Sequence, residues 1–85
     1  MKSKLHPWKT FTSAPWEGNP FDGFRAEFHG STMKVEKVQP THGLIGYMGT
    51  VIREGQPSQT TDHLRSPLAA LKATERLALD MEENA

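Results

Sequence analysis

Eighty-five residues carry ten basic and ten acidic side chains, a formal net charge of zero that argues against nonspecific nucleic-acid binding as the main task. There is no cysteine, which excludes disulfides, thiolate chemistry and cysteine-ligated zinc, and apolar residues at 35% of the chain suffice for one sheet-and-helix core but not for a deep cavity. No run approaches the ~20 apolar residues of a membrane span, and no signal-peptide stretch follows the basic start, so a soluble, cytoplasmic protein with no membrane partner is expected.

Residues 1–22 read as an irregular N-terminal arm. Pro7, Pro15 and Pro20 each remove a backbone donor and push the preceding residue toward extended conformations. A short extended piece around Lys9–Thr12 is able to add to a sheet edge. The arm holds Trp8, Trp16 and Phe21. A small core short of apolar mass gains most from covering aromatics, at roughly 2–3 kcal/mol each. Phe21, three residues before Phe24, and Trp16 are therefore expected to clasp the domain, leaving Trp8 to meet a partner.

A single sheet-plus-helix domain is expected over residues 23–85. In "FRAEFH", Phe24, Ala26 and Phe28 alternate with Arg25, Glu27 and His29, the period of a half-buried strand. "HGST" is a tight turn, with Gly30 free to take positive φ. "TMKVEKV" continues the hairpin, with Met33 and Val35 inward and Lys34 and Glu36 outward. Val38 falls out of phase, so the strand ends there or bulges. After a turn on Pro40 and Gly43, "LIGYMGTVIR" is a strand apolar on both faces. Gly46 and Gly49 within it mark a bulge or a close approach from above. "SQTTDHL" reads as a short fourth, edge strand or as a loop.

The C-terminal element is a helix. Ser66 is its N-cap and Pro67 its first residue, and alanine and leucine dominate its remaining length. Ala70, Leu71, Ala73, Thr74, Leu77, Ala78 and Met81 line one face, with Lys72, Glu75, Arg76, Asp80 and Glu83 opposite. Leu68 and Leu79 fall on the polar side, to pack under the arm or to form an exposed ridge. The fold class is α+β: three or four antiparallel strands packed on one C-terminal helix, behind an irregular arm.

No catalytic, metal or cofactor constellation emerges. His6, His29, His42 and His63 lack helical metal-ligand spacing, although His29 and His42 flank turns that can approach each other. Glu27 and Glu36 lie on neighbouring strands, but lysines intersperse them as in a solvated charge ladder. The glycines of "GLIGYMG" sit within a strand and lack the helix start that a phosphate loop needs. The charge is uneven, with seven Lys/Arg against four Asp/Glu in residues 1–53, and three against six in residues 54–85.

The segments "GFRAEFHGSTMKVEKV", "GLIGYMGTVIREG" and "LRSPLAALKATERL" resemble those of small sheet-plus-helix accessory proteins, many of them phage or prophage encoded. The tail "SPLAALKATERLALDMEE" is similar to the helix of HicB-like antitoxin domains. The phage-like resemblance implies a class of which many members bind one host protein and block or redirect it, anti-defence inhibitors among them. It carries no functional residue over.

The expected function is that of a non-enzymatic protein-binding module, an inhibitor or adaptor acting on a host protein. Trp8, Trp16 and Phe21 where exposed, with Leu68 and Leu79, are its expected contacts. A homodimer through the Leu68–Leu79 ridge or an open strand edge is a variant of this reading. The alternative is DNA or RNA binding through Arg25 and Lys34 on the sheet and Lys2, Lys4 and Lys9 on the arm.

Overall fold

The structure, a computed structural model, describes residues 12–39, 43 and 45–84. Five antiparallel strands follow one another in chain order across a single sheet: β1 (Glu17–Asn19), β2 (Gly23–Phe28), β3 (Ser31–Val38), β4 (Gly46–Arg53) and β5 (Gln59–Thr60). One helix, α1 (Pro67–Glu83), covers one face and lies mainly over β3 and β4. The α+β class and the antiparallel sheet against one helix are as expected. The sheet gains β1, a strand the sequence does not announce, and the "SQTTDHL" segment forms an edge strand.

The central hairpin follows its alternation. Phe28 faces Ser31, so His29 and Gly30 alone make the loop, at φ 52° and 79°. Two successive positive φ values define the turn whose twist matches that of the flanking strands. Arg53 of β4 holds this tip, donating to the His29 carbonyl and, at 3.3 Å, to the hydroxyl of buried Ser31. His29 Nδ1 stands 3.1 Å from the Glu82 carboxylate, linking the tip to the last turn of α1.

β5 continues past its two paired residues as a bulged edge. Thr60 faces Thr50, yet Leu64 faces Tyr47, so four steps on one strand match three on the other. The Thr61 hydroxyl accepts the Gly49 N–H at 3.0 Å, while Thr61 N donates to the Gly49 carbonyl at 2.9 Å.

Ser66 caps α1, its side chain accepting from Ala69 N at 3.3 Å, with Pro67 in the first turn. Ala70, Leu71, Thr74, Ala78 and Met81 are buried against Phe24, Ala26, Met33, Val35 and Val51 of the sheet. Ala73 and Leu77 are only half-buried. Gly49 shows why the helix can come so close. A Cβ there would stand 2.9 Å from Thr74 Cβ and 3.0 Å from Thr74 Cγ2, so α1 rests directly on the β4 backbone. At Gly46 the approach comes from the bulged segment instead, with the Leu64 carbonyl 3.2 Å from the position of a Cβ.

Two expectations need correction. The folded unit does not begin at residue 23, because Ala14 and Trp16 lie in the core and residues 17–19 pair with β2. Glu75 does not face solvent with Lys72 and Arg76. It is 7% exposed, and its carboxylate holds the segment that enters the core.

Candidate functional site

The two ends of the stretch from Ser13 to Phe24 part company in the structure. Trp16 is 1% exposed. Its indole Nε1 donates to Glu75 Oε2 at 2.7 Å; Ala14 N donates to the same oxygen at 2.8 Å, and Ser13 N reaches both carboxylate oxygens at 3.0–3.1 Å. A buried carboxylate is tolerated where several N–H groups point at it, and here two backbone amides and one indole do so. Trp16 thus fills the core as an inner clasp and is no partner contact. Phe21 does the opposite: it is 81% exposed and does not fold onto Phe24.

Phe21 sits in the β1–β2 turn, which is built to hold it outward. Asn19 Oδ1 accepts from both Phe21 N and Asp22 N at 2.8 Å, and Asn19 Nδ2 donates to Asp22 Oδ2 at 3.0 Å. The Asn side chain mimics a backbone turn, and Pro20 fixes one φ within it. The N–H groups of Phe21 and Asp22 are therefore met locally, and neither draws the turn toward the core. The Lys37 ammonium lies 5.4 Å from the centre of the Phe21 ring. Lys37 therefore lies off the free face of the sheet. It is in phase with Met33 and Val35, opposite Tyr47, at the end of β3. Tyr47 packs against the core cluster and supplies no aromatic to the free sheet face.

That free face carries the other candidates. Arg25 and Lys34 are directly opposite each other, in a row that runs Glu17, Arg25, Lys34, Thr50, Thr60 across all five strands. Glu27, Thr32 and Ile52 form the next row on one side; Glu36 and Met48 pair on the other. Glu27 and Glu36 are therefore two rows apart rather than cross-strand neighbours, and make no paired-carboxylate site. Among the described residues, ion pairs within 4 Å are limited to His29–Glu82, so Arg25 and Lys34 face each other without an anionic partner from that set.

On the helix, Leu79 is exposed and Leu68 half-buried. The expected ridge between them is interrupted at Glu75, where residues 13–16 cross the helix. The sheet edges are short: β1 has three residues between Pro15 and Pro20, and β5 two residues after Pro57. Short, proline-flanked edges resist the addition of a strand. Trp8, Lys2, Lys4, Lys9, His6 and His42, and the extended piece up to Phe11, lie outside the described residues.

A shallow groove of about 320 Å³ separates the bulged edge from α1, with Thr60, Leu64, Arg76, Leu77 and Asp80 on its walls. Its polar groups are surface side chains rather than buried ones aimed inward. No group of three or more metal-ligating side chains occurs among the described residues, and no helix among them is long and apolar enough to cross a membrane. No family model, curated protein or solved structure matches the chain.

Proposed function

We propose that the protein is a non-enzymatic binding module that docks on another protein through the Phe21 turn. The observation that carries this reading is an aromatic ring 81% exposed on a turn closed by its own hydrogen bonds. Burying such a ring contributes about 2–3 kcal/mol, and a turn ordered before binding loses little entropy when it docks. Large side chains in central, desolvated positions carry most of the energy of an interface. Lys37 beside the ring, with Asp22 next to it, fits a partner pocket that is apolar at its floor and polar at its rim. The resemblance of the strands and helix to phage-type accessory proteins extends the proposal to an inhibitor or adaptor acting on a host protein in the cytoplasm.

The test is affinity capture from a nuclease-treated lysate of the source cell, with the wild type and Phe21→Ala in parallel. The reading requires one protein retained in stoichiometric amount by the wild type and lost with Phe21→Ala. Equal retention by both forms would sink it.

A second reading, nucleic-acid binding, is favoured by one observation: Arg25 and Lys34 stand side by side with no described carboxylate within 4 Å. Glu17, Glu27 and Glu36 on the same face oppose a polyanion. It requires affinity for an oligonucleotide that falls steeply with salt and is lost in Arg25→Ala/Lys34→Ala.

A further inference from the structure

We propose that the open face of the sheet joins two copies of this chain face to face, with Arg25 of each copy over Glu27 of the other. The starting point is a local cost. Like charges directly opposite on neighbouring strands are destabilising, and Arg25 and Lys34 stand in that relation with no described carboxylate within 4 Å. The face carries the matching charges one row away on either side, Glu27 beyond Arg25 and Glu36 beyond Lys34. A two-fold axis running across the strands, between two rows, sets each row of one copy over the adjacent row of the other. Placed between the rows of Arg25 and Glu27, it lays each Arg25 over the second copy's Glu27, twice by symmetry. It also brings Thr50 over Ile52, the exposed apolar side chain of β4 on this face. Two-fold interfaces need such self-complementarity, and a face bearing a single sign of charge could not supply it.

The dimensions fit a modest dimer. The five strands hold 27 residues in all, and at about 4.8 Å between strands and about 3.3 Å per residue they offer about 430 Å² of face per copy. Two such faces bury about 860 Å², the size of a weak, transient contact, so association is expected only at high protein concentration. A net charge of zero leaves no long-range repulsion between copies. The proline-flanked edges direct pairing to the face. The Phe21 turn lies outside the stacked rows, so this inference stands or falls independently of the proposed partner contact.

Sedimentation velocity on the full chain, from about 10 μM to about 1 mM, tests it. The wild type is expected to shift from monomer to dimer with concentration, and to weaken as salt rises from about 0.05 to about 0.5 M. An acidic-face variant, Arg25→Glu, and a basic-face variant, Glu27→Lys, should each lose self-association by at least about tenfold. Mixed in equal amounts, they should recover a dimer. A wild type that stays monomeric throughout, a dimer indifferent to salt, or a variant that self-associates like the wild type overturns the proposal, as does a mixture of folded variants that remains monomeric. The salt series needs no substitution, so it decides the matter even where a variant fails to fold. A monomeric wild type whose Lys34 becomes protected from acetylation only when a different protein is added gives the face to that protein and overturns the proposal as well.

Discussion

Trp16 and Phe21 are five residues apart in one proline- and glycine-rich stretch, and their fates are opposite. The difference does not come from hydrophobicity, since both rings gain from leaving water. It comes from where the neighbouring polar groups find partners. Around Trp16, the N–H groups of Ser13 and Ala14 and the indole all converge on one distant carboxylate, Glu75 of α1, and that convergence draws the segment into the core. Around Phe21, the N–H groups of Phe21 and Asp22 are met by Asn19 within the same turn. A segment whose donors are satisfied locally has no polar reason to cross the molecule. An irregular stretch becomes core where its backbone can be satisfied at depth, and surface where it satisfies itself.

The largest effect should come from removing the buried member of the pair. Trp16→Ala leaves a cavity beneath the crossing segment and a carboxylate stripped of its strongest donor. A loss of about 3–5 kcal/mol is expected in urea denaturation followed by circular dichroism. A loss below about 1 kcal/mol would mean that the segment from Ser13 to Trp16 is not anchored as described. Next comes the acceptor. Glu75→Ala leaves the Trp16 and Ala14 N–H groups buried without a partner, at a cost of about 2–3 kcal/mol. Glu75→Gln keeps one acceptor oxygen and should cost less. Equal costs for the two variants would show that packing rather than hydrogen bonding holds the clasp.

The contact between Gly49 and Thr74 sharpens the same comparison from below. Gly49→Ala drives a methyl group into Thr74, the residue before Glu75, and raises the helix that carries the acceptor. Overpacking of this kind costs about 1–3 kcal/mol. Thr74→Gly in the same chain removes the obstructing side chain and should return part of that loss, less about 1 kcal/mol for glycine within a helix. A double variant no more stable than Gly49→Ala alone would deny the contact.

What could be read from the sequence divides in the same way between local and distant causes. The β2–β3 hairpin and α1 were legible because period-two alternation, the His29–Gly30 turn and the Ser66–Pro67 start are local signals. The close approach at Gly49 was legible too, as a missing side chain within an apolar strand. β1 and β5, at three and two residues, are too short to show a period; their pairing is supplied by neighbours that are already in place. The burial of Glu75 is not legible because helical periodicity sorts a glutamate to the solvent side, and its partners lie about sixty residues away. The available hint was a tryptophan N–H that needs an acceptor once buried. The exposure of Phe21 is hidden for the converse reason. Its apolar ring suggests burial, although Asn19, Pro20, Asp22 and Gly23 around it spell a self-contained turn.

The smallest effect on stability is expected where the effect on binding is largest. Phe21→Ala removes a ring that touches solvent over most of its surface, and the hydrogen bonds of its turn run through backbone N–H groups that alanine retains. Stability should change by less than about 0.5 kcal/mol, the cation–π contact with Lys37 being worth little at an exposed site. The proposed partner should nevertheless lose affinity by about tenfold or more. Asn19→Ala leaves the ring in place but loosens the turn, so it should weaken the partner less than Phe21→Ala does while costing more stability. If Phe21→Ala instead destabilised the fold by as much as Trp16→Ala, the two aromatics would share one role, and the division of this stretch into a core half and a surface half would fail.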